Sequence, residues 1–233
     1  MTLYKHYSFD LWMTLIRSNP SFKKERAAFF YSKFNGAKKT IQEIELIFRQ
    51  VDLMCNAINE KTGKNIDSDE MYMMVIYQMN EGQDHFPDID LTWLYAEMER
   101  LVMKYMPVAY GIETAETLNK IKDRGDATIS LLSNTAFIKG ITLRKVLKEI
   151  ELDGFFDFQL YSDESGMSKP NSRFFLQMVD QAGQYRKEDK IELHEIIHVG
   201  DNKNADIIGA EAIGINSLLV NSNENTISRL VQS

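Results

Sequence analysis

The sequence predicts an α/β fold in which a parallel sheet is covered on both faces and an all-helical block is inserted after the first strand. Two observations carry this. From Thr114 onward, helical segments alternate with short apolar runs, the pattern of a parallel sheet built from strand–helix–strand units. Between Arg17 and Pro107, four helical segments follow one another with no strand signal. A third observation concerns where the chemistry sits. Four short motifs, FDLWMTL (9–15), LLSN (131–134), SKP (168–170) and HVGDNKNAD (198–206), each begin where a strand-like run ends. Sheets of this kind bind ligands at the carboxyl ends of their strands.

The elements follow in order. Leu3 to Phe9 reads as a buried strand ending at Asp10. Asn19-Pro20 opens a helix over Ser21 to Phe34, with proline pre-set for the first turn. A second helix starts at Thr40, where Glu43 completes a capping box, and stops before Gly63. A third starts near Asp67, with Glu70 three residues on, and a fourth runs from Leu91 to Tyr105, before Pro107. Then come a helix from Thr114 to Arg124 closed by Gly125, a strand from Thr128 to Leu132, and a helix from Ile141 to Ile150. A short strand near Phe156 to Tyr161, a helix after Pro170, a strand from Ile196 to Val199, a helix from Asn204 to Ala212 and a strand from Ser217 to Val220 complete the series. The expected architecture is a Rossmann-like core (1–16 and 108–233) carrying a helical cap (17–107).

The 233 residues suffice for one large or two small domains. No apolar run approaches the roughly 20 residues that span a bilayer. Met1 to Asp10 lacks a basic region followed by an apolar stretch, so no signal peptide is expected. Cys55 is the only cysteine, which excludes an intramolecular disulfide and a cysteine metal cluster, and a cytoplasmic location is expected. The net charge of -7, with no Lys/Arg block longer than a pair, argues against nucleic acid as a main partner. Oligomeric state has no signature in these residues.

The motifs supply a nucleophilic carboxylate, a hydroxyl, a lysine and a carboxylate pair, the parts needed for Mg²⁺-assisted attack on phosphorus. Their order and positions resemble the haloacid dehalogenase-like (HAD) hydrolase superfamily over essentially the full chain, and an insertion after the first motif resembles its C1 cap class. The resemblance implies a nucleophile at Asp10, a hydroxyl at Ser133 with Asn134 beside it, a lysine at Lys169 and an acidic pair at Asp201 and Asp206 after Gly200. It implies a phosphorylated small-molecule substrate and bound Mg²⁺, a hard cation that prefers oxygen ligands. The expected metal ligands are Asp10, the Trp12 backbone carbonyl and Asp201, with Asp206 holding a metal-bound water or steadying Asp201. Lys169, Ser133 and backbone N–H groups near Leu11 would meet the transferring phosphoryl group, with Asn134 and Trp12 also lining the phosphate site, while Thr14 would brace the loop. His198 is expected as a packed strand residue, the stretch Met71 to Met79 as cap packing, and Cys55 as buried and inert. His6, His85 and His194 show no metal-ligand spacing.

One part is irregular. Phosphatases of this superfamily generally carry Asp two residues after the nucleophile, to protonate the leaving alcohol and then activate water. Here that residue is Trp12, whose indole offers only a donor N–H. Losing a general acid or base typically costs ~10²–10⁴ in rate, mainly for poor leaving groups. The expected activity is therefore a phosphohydrolase acting through an aspartyl-phosphate on activated leaving groups. The alternatives are a 2-haloacid dehalogenase, whose branch carries an aromatic residue at this position but works without metal, and a catalytically weak protein that binds phosphorylated metabolites. A phosphonatase-like reaction would need a cap lysine, and Lys23, Lys24 and Lys33 are not distinguished for it. For a substrate's negative charge, Arg17 at the core–cap junction leads Lys23, Lys24, Arg26 and Arg49. Cap hinges are expected near Arg17 to Pro20 and Pro107 to Gly111.

Overall fold

The computed structural model describes residues 4–83, 86, 88–187 and 190–232. Leu3 and His85 therefore lie outside the described residues. Five parallel strands form the sheet: β1 (His6–Phe9), β4 (Thr128–Ser133), β5 (Phe158–Tyr161), β6 (Ile196–Gly200) and β7 (Asn216–Leu219), in the order β5-β4-β1-β6-β7. β1 is central and wholly buried, with Phe9 opposite Leu131 on one side and Val199 on the other. A strand enclosed this way must also satisfy its polar side chains. His6 does so through Thr128 Oγ1 at 2.8 Å and Ser130 Oγ at 2.9 Å, with its ring stacked on Phe158. Burial holds the His6 imidazole down to about 3, so it is neutral.

Between β1 and β4 lie the four expected helices, α1 (Pro20–Phe34), α2 (Ile41–Thr62), α3 (Ser68–Met79) and α4 (Leu91–Lys104). Their ends follow from local chemistry. Asn19 accepts from the Ser21 N–H at 3.0 Å ahead of Pro20. Thr40 and Glu43 form the reciprocal capping box, and Gly63 closes α2 at φ 67°, a left-handed geometry that favours glycine. α2 buries Ile44, Phe48, Val51, Cys55 and Asn59, one helical stripe. Against it pack Phe30, 4.8 Å from Phe48 between ring centroids, and Met71, Val75 and Met79 of α3. Each such fully buried side chain contributes roughly 1.5–3 kcal/mol. The Met-rich stretch is thus largely packing, although Met73 is exposed. Cys55 is buried, and burial pushes its thiol up to about 11.

After the block come α5 (Thr114–Lys122), α6 (Gly140–Glu149), the short α7 (Ser162–Ser165), α8 (Ser172–Arg186) and α9 (Gly209–Glu211). The structure corrects the sequence reading in two places. The two crossings between sheet and helical block are strands, β2 (Ile16–Arg17) and β3 (Val108–Ala109), paired as an antiparallel ribbon. Two residues are too few to show a period of two, so no sequence pattern marked them. The segment expected as a helix from Asn204 begins instead as a π-helix over Lys203–Ile208.

Candidate active site

All four motifs meet at the carboxyl end of the sheet. Asp10 leaves β1 with its N–H donated to the Val199 carbonyl at 2.8 Å. The chain then turns sharply, and the Leu11 carbonyl accepts from both Leu15 and Ile16. That turn returns Thr14 to Asp10, where its Oγ1 donates to Asp10 Oδ2 at 3.1 Å. Thr14 therefore touches the carboxylate itself, a closer role than loop bracing. Asn221 holds the turn from outside, donating to the Met13 and Thr14 carbonyls.

Lys169 is 1% exposed, and its Nζ lies 2.7 Å from both Asp10 Oδ1 and Asp206 Oδ1. A buried ammonium is costly unless paired, and here two carboxylates overcome the desolvation and hold it charged, with its pKa raised. Its backbone is clamped by Asn134, whose Oδ1 accepts from the Lys169 N–H at 2.7 Å and whose Nδ2 donates to the Lys169 carbonyl at 3.0 Å. The amide expected beside the phosphate is thus occupied in fixing the lysine. Ser133 ends β4 fully buried, with its Oγ 3.3 Å from the Asn134 carbonyl.

Asp206 is gripped on both oxygens. Oδ1 takes Lys169 and His198 Nε2 (3.2 Å), and Oδ2 takes the Asn202 N–H (2.9 Å). Burial alone would raise its pKa, but Lys169 and His198 bring it below the ordinary carboxylate range. His198 is indeed a packed strand residue, and it also steadies this acid through a ring held at Nδ1 by Ser8 Oγ at 2.9 Å. Asp10 moves the other way. Burial pushes it up, and Lys169 only partly offsets this. Asp201 is half-buried, and burial followed by the nearby Asp206 charge raises it to about 6.

Ligand oxygens of Asp10, Asp201 and Asp206 all lie within 4.8 Å of one another. The donor set is hard oxygen, which fits Mg²⁺, with one qualification. Asp206 already accepts from three protein donors, Lys169, His198 and the Asn202 N–H, against two at Asp10, so Asp10 and Asp201 are the freer ligands. Trp12 stands on the turn, half-buried.

The cap cations fall into two groups. Arg17 is exposed on the β2 ribbon, and Lys23, Lys24 and Arg49 are exposed. Arg26 is buried, its guanidinium 3.9 Å from the Phe48 ring centroid and 4.6 Å from that of Phe137. Two contacts had no sequence signal: the Asn134 clamp and a link from Asn202 Nδ2 to Glu60 Oε1 at 3.0 Å.

A buried strand-end carboxylate, a buried lysine and an acid cluster gather at the carboxyl end of the parallel sheet. The model of the haloacid dehalogenase-like hydrolases matches residues 4–214, and the chain belongs to this family. Two glyceraldehyde 3-phosphate phosphatases are similar in sequence. That of Methanothermobacter thermautotrophicus is 34% identical over 47% of this chain and 43% of its own length. That of Pyrococcus furiosus is 27% identical over 70% of each. Among solved structures, the magnesium-bound HAD-hydrolase YfnB of Bacillus subtilis superposes with a TM-score of 0.70 at 13% identity, covering 96% of this chain and 91% of its own. A HAD phosphatase from Thermococcus onnurineus gives 0.66 at 20%, covering 95% and 88%. At these identities the structural likeness is one of fold.

Proposed function

We propose that the chain is a Mg²⁺-dependent phosphohydrolase of small phosphorylated metabolites, acting through an aspartyl-phosphate on Asp10. The observation that carries this reading is the cluster of Asp10, Asp201 and Asp206 with Lys169 bridging two of its members. The phosphatase names of the sequence relatives support it. Bound Mg²⁺, held by Asp10, Asp201 and the Trp12 carbonyl, would offset the repulsion between nucleophile and phosphate dianion. Asp10 Oδ attacks phosphorus, and the bond to the leaving oxygen breaks with its electron pair going to that oxygen. Water then cleaves the acyl phosphate, releasing inorganic phosphate and restoring the carboxylate. Lys169, Ser133 and the N–H groups near Leu11 meet the charge developing on the phosphoryl oxygens.

Trp12 limits the substrates. No acid at position 12 protonates the leaving group, so aryl phosphates, acyl phosphates and phosphoanhydrides are favoured. Within this reading 1–16 and 108–233 form the core and 17–107 a cap that closes over the site, moving about the β2–β3 ribbon. Among the described residues no helix is long and apolar enough to cross a membrane, and a cytoplasmic setting with neither membrane nor nucleic acid as partner fits the acidic composition.

The test is hydrolysis of p-nitrophenyl phosphate and acetyl phosphate with Mg²⁺ or EDTA. The wild type is expected to turn both over only with metal, and Asp10→Asn to lose roughly 10⁴-fold or more. Halide release from a 2-haloacid in EDTA, without phosphate turnover, would point to the dehalogenase reading instead. Metal-dependent ligand binding without turnover would point to the binding protein.

A further inference from the structure

The helical block meets the loops that carry Lys169 and Asp201 at the end of α2. The carbonyl of Gly63 accepts from the Ser168 N–H at 3.1 Å and from Asn171 Nδ2 at 2.9 Å. Asn65 donates its N–H to the Gly166 carbonyl at 3.3 Å and accepts from Ser162 Oγ at 2.7 Å. These bonds grip the loop that carries Lys169. One turn earlier, the half-buried Glu60 accepts from Asn202 Nδ2 at 3.0 Å, on the loop that carries Asp201 and Asp206.

Asn202 is a three-way junction. Its N–H holds Asp206 Oδ2, and its Oδ1 caps the following π-helix by accepting from Asn204 N–H at 2.9 Å and Ala205 N–H at 3.1 Å. An asparagine amide has a donor end and an acceptor end, and only one orientation serves both the helix and Glu60. A carboxylate is the stronger acceptor for the donor end, because a charge-assisted hydrogen bond is about twice as strong as a neutral one. Glu60 holds the donor end of an amide whose acceptor end caps the helix, and the backbone N–H of the same residue holds Asp206. Lys169 needs Asp10 and Asp206 at 2.7 Å together, so the lysine loop and the acid loop must keep a common register. The segment from Glu60 to Asn65 is the single stretch of α2 and its following turn that touches both loops.

We infer that Glu60 is a positioning residue for the acid cluster, acting through Asn202, so that seating the helical block on the sheet completes the metal site. This rests on the phosphohydrolase reading of the same site. Glu60 makes no contact with reacting atoms. Its effect is carried by the geometry of Asp201 and Asp206.

The experiment is Mg²⁺ binding by calorimetry to the full chain, compared among wild type, Glu60→Ala and Glu60→Gln. Glutamine keeps the acceptor and loses the charge. The expected result is about tenfold weaker binding in Glu60→Ala, the scale of one charge-assisted hydrogen bond, and about threefold weaker binding in Glu60→Gln, which keeps the neutral half of that bond. Exchange of the Asn204 and Ala205 amides should quicken in Glu60→Ala and less so in Glu60→Gln. A lower melting temperature in Glu60→Ala with unaltered Mg²⁺ affinity and amide exchange would mean simple glue between helical block and sheet, and would overturn the inference. Equal weakening in both variants would assign the effect to charge alone and also overturn it. Should Glu60→Ala not fold, Glu60→Asp, one methylene too short to reach Asn202, replaces it with the same expectations. A wild type that binds no Mg²⁺ would overturn the phosphohydrolase reading, and this inference with it.

Discussion

Two sets of buried polar groups share the central strands, and they are satisfied in opposite ways. At the amino end of the central strand, His6 is neutral and meets two hydroxyls, those of Thr128 and Ser130. That set is closed, because every partner is uncharged. At the carboxyl end, one cation, Lys169, faces Asp10, Asp201 and Asp206, and three negative charges against one positive leave a formal charge of -2. Buried charge of one sign is costly unless paired. The first set is architecture. The second is left with excess negative charge, and burial together with the neighbouring carboxylates raises the pKa of Asp10 and Asp201.

The comparison is broken most forcefully at Lys169. Lys169→Met removes the sole cation and leaves Asp10 and Asp206 facing each other. Turnover should fall roughly 10²–10³-fold, the scale of losing one preorganised electrostatic partner. Stability should fall by about 3 kcal/mol from the broken buried pair, read as a lowered urea midpoint. A variant with near-native turnover would show that the charge at this end is not functional. Next in size is Trp12→Asp, which in the proposed mechanism adds an acid beside the departing group. Turnover of alkyl phosphates should rise about 10–100-fold relative to aryl phosphates, a part of what a general acid supplies. No change in that ratio would remove Trp12 from the account of substrate choice.

The closed set is tested by pH. The folded state holds His6 neutral down to about 3 while the unfolded chain titrates near its ordinary 6.5. Its contribution is full above pH 6.5 and is lost as pH falls toward 3, because only the unfolded state takes up the proton. At pH 5 the loss is about 2 kcal/mol relative to pH 7. His6→Gln should show a correspondingly shallower fall in urea midpoint between pH 7 and 5, and an identical fall would mean that other groups carry it.

These contrasts also divide what was legible in the sequence from what was not. The sheet, its order of elements and the gathering of Asp10, Ser133, Lys169, Asp201 and Asp206 were readable, because alternation and strand ends are local signals. So were the caps at Asn19 and Thr40, where donor and acceptor lie three residues apart or fewer. The Glu60–Asn202 and Asn134–Lys169 bonds join residues 142 and 35 apart, and no periodicity encodes such a pair. Arg17 was favoured for its position in the chain, yet β2 leaves it exposed, while Arg26 turns inward because α1 packs that face on Phe48. The helical face was visible as a pattern, but which neighbour it would meet was not.

Gly200 ends β6 so close to Asp206 that a methyl group there would lie 2.2 Å from the carboxyl carbon. The acid occupies the volume that any other residue at position 200 would require. The two positions are therefore sterically coupled: no single substitution can give position 200 a side chain while the carboxylate stays where Lys169 and Asn202 hold it. A lineage wishing to reshape this corner would have to surrender the acid first, and with it the charge on which the rest of the centre is balanced.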